Sequence, residues 1–162
     1  MDWVAVSAIA GVFAAVFVAL TAVYLSIQIK RNAEATQSQT YHLATSALAE
    51  MAAIVGRDKD LSRIFRIGMA NPEALSEDDF TQFVYLGISL FRRYENVFFQ
   101  YQSGMIDEDF WIGHRENLLW FFHRPGMQAW WKDRKYGFSK RFREFLDKST
   151  DGEVTSPETR RL

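Results

Sequence analysis

The stretch WVAVSAIAGVFAAVFVALTAVYLSIQI, residues 3–29, decides the architecture. It carries no charge, and its polar side chains are Ser7, Thr21, Tyr24, Ser26 and Gln28. A helix needs about 20 apolar residues to cross about 30 Å of hydrocarbon, and this run exceeds that length. Thirteen of its residues are Val, Ile, Leu or Phe. Near a helix centre each favours insertion by about 0.3 to 0.6 kcal/mol, and no charged residue opposes them at about 3 kcal/mol. Core helices of soluble domains rarely run this far without a charge. A cleaved secretory signal would open with a basic region, carry about 7–15 apolar residues and end at small residues. This segment instead follows Met1-Asp2 and ends in Gln28-Ile29-Lys30-Arg31. The expectation is an uncleaved single-pass anchor over residues 1–30, with the lipid bilayer as its first partner.

Charge at the two ends sets the expected orientation. Lys30 and Arg31 flank the C-terminal side, against Asp2 alone on the other. Cytoplasmic flanks are enriched in Lys and Arg, so the N-terminus is expected outside and the rest of the chain in the cytoplasm. Trp3 and Tyr24 stand where interfacial aromatics fix depth. Ser7, Gly11, Ala15 and Ala19 follow one another at intervals of four. That spacing traces one helix face, where small residues let a second backbone approach closely. This face is the candidate membrane-helix contact, with a second copy or with another membrane protein.

Beyond the anchor every periodicity is helical, and the expected fold class is all-α. No Pro or Gly occurs between Gly11 and Gly56, so the membrane helix is expected to continue into a small cytoplasmic bundle spanning 31–148. Leu43, Ala44, Ala47, Leu48, Met51 and Val55 recur at helical spacing, as do Leu61, Ile64, Phe65 and Met69. Ser76 followed by Glu77-Asp78-Asp79 marks a helix start, since a hydroxyl caps free amides and carboxylates favour the positive first turn. Phe80, Phe83, Val84, Gly87, Phe91, Tyr94, Phe98 and Tyr101 then form one stripe. Tyr85, Ile88 and Phe99 are expected to widen its buried face. Asp107-Glu108-Asp109 opens the next helix, with Phe110, Trp111, Leu118, Trp120 and Phe121 as core candidates, and His123-Arg124-Pro125-Gly126 breaks it. Two short helices are expected at Met127–Arg134 and Ser139–Lys148, followed by a mobile tail over 149–162.

The runs FRRYENVFFQYQSGMIDEDFW (91–111), HRPGMQAWW (123–131) and FSKRFREFLD (138–147) resemble a pattern in small uncharacterised bacterial proteins. Those proteins have one N-terminal membrane helix and a helical remainder. The resemblance covers roughly Phe80 to Asp147 plus the anchor. It implies the same architecture and a bacterial inner membrane, and it brings no activity with it.

Composition narrows the chemistry. Nineteen basic side chains against twenty acidic ones leave no excess to neutralise phosphates, so nucleic acid is not an expected partner. Without cysteine there is no thiolate metal site, no Fe–S cluster and no cysteine nucleophile. No Gly-rich phosphate loop, HExxH or GxSxG occurs, and no cofactor is expected. Asp109, Glu116 and His123 share a helix face, and with Glu95 could contribute to a metal site. The Glu-x-x-His step usual in helical carboxylate sites is missing, and the plainer reading places His123 at a helix C-terminus. Arg92 with Glu95 or Asn96 can pair along the helix and reads as a structural polar network that fixes the neighbouring helices. Trp130-Trp131, with Lys132, Arg134, Lys135, Lys140, Arg141 and Arg143, could face anionic headgroups or supply ordinary core tryptophans.

Three functions follow in order. The first is a membrane-anchored helical protein acting by assembly, as a homo-oligomer or as an accessory subunit of a membrane complex. The second is a membrane-tethered sensor or ligand-binding module holding an apolar molecule among Phe91, Tyr94, Phe98 and Trp120. The third is a metal-dependent enzyme.

Overall fold

The computed structural model describes residues 2–149, and the side chains of all of these except 4–10 and 12. Six α-helices and two 3₁₀ turns account for nearly all of it, with no strand among the described residues. The helices are α1 (Trp3–Arg57), α2 (Lys59–Ala70), α3 (Glu77–Gln102), α4 (Glu108–Phe122), α5 (Pro125–Arg134) and α6 (Lys140–Lys148). The 3₁₀ turns are Pro72–Ala74 and Lys135–Gly137. The chain divides into two compact units, Met1–Gln39 and Thr40–Leu162.

The first unit is helix alone. Among the described residues, α1 is the one helix long and apolar enough to cross a membrane. Phe13, Phe17, Val18, Leu20, Val23, Leu25, Ile27 and Ile29 are all exposed on it. Its polar side chains turn back onto the same helix. Thr21 Oγ1 donates to the Phe17 carbonyl at 2.8 Å, and Ser26 Oγ to that of Ala22 at 2.8 Å. Gln28 Nε2 donates to Tyr24 Oη at 2.9 Å. In hydrocarbon an unsatisfied polar group costs several kcal/mol, and local pairing of this kind is what a lipid-facing helix would need.

The second unit is a helical bundle whose boundaries follow local chemistry. Asp58 caps α2, its Oδ1 accepting from the Asp60 and Leu61 amides at 2.9 and 3.0 Å. Ser62 Oγ donates to the Val55 carbonyl at 2.5 Å, satisfying an acceptor in the last turn of α1. Asn71 and Pro72 end α2, where the Asn71 side chain accepts from the Glu73 amide at 3.2 Å. Ser76 Oγ accepts from the Asp79 amide at 3.2 Å and so caps α3 as its sequence predicts. Asp107 does the same for α4 through the Phe110 amide at 2.9 Å. Beyond α6, Ser149 is the last described residue, and the rest of the expected tail lies outside the described residues.

Two expectations need correction. Pro125 and Gly126 do not separate helices; Pro125 is the first residue of α5, and the break is His123-Arg124 alone. Proline suits that position because its missing N–H would be unpaired in any first turn. The buried arc of α3 also widens in the opposite sense. Leu86, Leu90 and Val97 join Phe83, Phe91, Tyr94 and Phe98 inside. Tyr85 and Phe99 are 67% and 62% exposed, and Ile88 lies at the surface with them. The α2, α4 and α5 helices all pack on α3. Apolar identity alone does not say on which flank a neighbouring helix will lie. Phe80 is also largely at the surface, and Trp120 is half-buried under the Arg124 guanidinium, 3.9 Å from its ring centroid.

Trp130 and Trp131 are core residues, which settles the reading of the basic-aromatic region. They meet Phe91, Phe122, Phe138 and Phe142 in one continuous aromatic cluster. Of the cations around them, Lys135 pairs with Asp147 at 2.8 Å, Lys140 with Glu144 at 3.8 Å and Arg134 with Asp133 at 3.9 Å.

Candidate functional site

The small-residue face lies on the first unit. Gly11, Ala15 and Ala19 are exposed, and nothing lies within 4 Å of where a Gly11 Cβ would stand. Ser7 is among the residues whose side chains are not described. The face is therefore open within this chain, which leaves room for a second helix to approach.

The polar residues of the second unit hold helices together. Arg92 Nη1 pairs with Glu95 Oε2 at 2.5 Å, and Arg92 Nη2 donates to the Gly137 carbonyl at 2.7 Å. Glu95 Oε1 accepts from the Ser139 amide at 2.6 Å, and the Arg92 guanidinium lies 4.4 Å above the Phe138 ring. Together they clasp the turn before α6 onto α3, a structural role for Glu95. Arg93 Nε donates to the Ala47 carbonyl at 2.6 Å, binding α3 to the end of α1, and also bonds Ser89 Oγ. Among the described residues no three His, Asp or Glu side chains converge as a metal site would require. Asp109 and His123 therefore do not form the metal face that their spacing allowed, and His123 instead caps the C-terminus of α4. His114 Nδ1 is 2.7 Å from the Phe110 carbonyl, one turn back on α4.

Three carboxylates tie elements together and share an electrostatic signature. Asp79 takes Arg63 as a two-pronged partner at 3.0 and 3.4 Å, and that guanidinium holds it below the usual carboxylate range. Asp107 is lowered by the Phe110 amide and then by Tyr41 Oη, which donates at 2.8 Å. Burial and this carboxylate push the Tyr41 phenol up to about 12. Burial alone would raise Asp147, but hydrogen bonds from Lys135 and Trp131, at 2.8 and 2.9 Å, bring it below its ordinary value. A carboxyl whose folded pKa is depressed lends stability above its unfolded pKa, and that stability is lost as pH falls through the folded value. Unfolding stability is therefore expected to be flat from about pH 7 to 5 and to fall below about pH 4. Denaturant titrations followed by tryptophan fluorescence at each pH check this, and Asp107→Asn should make the acid decline shallower.

Cavities lie between the helices of the described residues. One of about 400 Å³ opens beside Pro72, Leu75, Phe80, Ala129 and Trp130, with Glu73, Glu77, Asp133 and Arg134 around it. Another, about 270 Å³, is lined by Met51 and Val55 of α1, Phe65 of α2, Leu90 and Tyr94 of α3 and Phe121 of α4. Of the four aromatics first considered for ligand binding, Tyr94 alone lines either cavity, and it lines the smaller one. Phe91 and Phe98 are packed among other rings of the core. The lining of the smaller cavity is assembled from four helices. Sequence spacing shows each apolar face of that set but not their meeting.

No protein-family model, no curated protein and no solved structure matches this chain.

Proposed function

We propose that this chain is a single-pass protein of a bacterial inner membrane that works by assembly, as a homo-oligomer or as an accessory subunit of a membrane complex. Its N-terminus lies outside and its helical domain in the cytoplasm. The observation carrying this reading is the exposed face of Gly11, Ala15 and Ala19 on a stretch of α1 where Phe13, Phe17, Val18, Leu20 and Val23 are exposed as well. Lipid tails are as apolar as leucine, so membrane helices associate through close packing, and small residues permit the closest approach. Lys30 and Arg31 after the anchor support the orientation.

Cross-linking and native mass spectrometry in mild detergent test the assembly. The expected result is a discrete oligomer or a co-purifying membrane protein. Gly11→Leu should weaken that association about tenfold, because a leucine side chain holds the two backbones apart. A strict monomer with no partner would sink the proposal, and so would a Gly11→Leu protein that assembles unchanged.

A further inference from the structure

The cavity of about 270 Å³ is apolar on nearly every side. Its polar side chains are Tyr94 and Asn117, and no charged residue lines it. Tyr94 is 1% exposed, and among the described residues no hydrogen bond engages its hydroxyl. Burial pushes this phenol above its ordinary value, so it stays protonated and able to donate. A hydroxyl that no protein group engages can donate to a molecule that supplies an acceptor.

We propose that this cavity binds a neutral, mainly apolar small molecule bearing one hydrogen-bonding oxygen, held through Tyr94 Oη. Size follows from comparison: an apolar cavity of about 150 Å³ accepts benzene, so about 270 Å³ suits roughly eleven non-hydrogen atoms. Charge is excluded because no lining residue could compensate the loss of an ion's hydration. Met51, unbranched and polarisable, lets the wall adapt to such a guest. The site goes beyond the assembly role and does not depend on it, since every lining residue belongs to the second unit.

The probes are 2-naphthol and its hydroxyl-free counterpart naphthalene. Binding is measured calorimetrically on the full chain in lipid nanodiscs, with empty discs subtracted. The wild type is expected to bind 2-naphthol about fivefold more tightly than naphthalene. Tyr94→Phe should equalise the two probes without lowering the thermal stability of the empty protein. Ala52 is exposed and lines the cavity, so Ala52→Phe should fill its rim and abolish binding of both. No binding above empty discs would overturn the site. A preference for 2-naphthol that persists in Tyr94→Phe would overturn the role of the hydroxyl, as would a Tyr94→Phe protein that melts lower. Should Ala52→Phe fail to fold, the near-isosteric Tyr94→Phe comparison still decides.

Discussion

Replacing Gly126 by alanine is expected to destabilise the helical domain by at least about 3 kcal/mol, the upper end of what overpacking costs. A Cβ built on Gly126 would lie 1.7 Å from the Gly68 carbonyl oxygen and about 3 Å from the neighbouring carbonyl carbons. These are backbone atoms of α2, so no side-chain rotation relieves the clash, and α2 and α5 would have to separate. Separation is blocked on the other side, because Gly68 itself lies against the Phe83 ring of α3, where its own Cβ would come within 2.3 Å. Three helices thus meet at a pair of glycines. In a domain of this size each kcal/mol lowers the melting temperature by about 4–8 °C, so a fall of roughly 15 °C or more is expected in calorimetry. Gly113→Ala is the matched comparison: it is an exposed helical glycine with nothing within 4 Å of its Cβ. There alanine should stabilise by about 0.5–1 kcal/mol through helix propensity. Equal effects at the two positions would contradict the close approach of α2 and α5.

That contact marks where sequence reading stops. Pro125-Gly126 carries the same letters whether it ends a helix, joins two or lets one backbone lie against another. What distinguishes these is Gly68, far away in the chain. Features set by neighbouring residues were legible: the charge-free run from Trp3 to Ile29, the caps at Ser76 and Asp107, and the end of α1 at Gly56-Arg57. The pairing of Arg92 with Glu95 was legible too, because residues three apart meet on a helix. Its role in fixing a neighbouring element was expected too, but not which element, since Gly137 and Ser139 arrive from far along the chain. The same limit hid the Tyr94 cavity. Leu48, Met51 and Val55 were readable as one apolar face and Leu90 and Tyr94 as apolar positions on α3, but the gap between them is a property of how four helices fit.

Truncating Phe91 to alanine is the second large effect, expected to cost about 3–5 kcal/mol. Phe91 is fully buried, with Trp130 stacked on it at 5.2 Å between ring centroids and 10° between planes. Trp131 lies at 5.4 Å, and Phe122 and Phe138 meet it edge-on at 6.3 Å. Removing the ring leaves a void walled by rigid aromatics. Collapse is poor in such a site, so the cavity penalty adds to the lost transfer energy. Phe99, on the same helix, is exposed, and its truncation should change stability by no more than about 0.5 kcal/mol. Phenylalanine and alanine keep the same difference in helix propensity at both sites, so the contrast between the two variants isolates burial. Trp130 and Trp131 supply the reporter, since near-UV circular dichroism should weaken in Phe91→Ala and stay unchanged in Phe99→Ala. Comparable losses would mean that α3 is rotated about its axis. Tyr94 would then no longer line its cavity, so this pair of variants also tests the placement on which ligand binding rests.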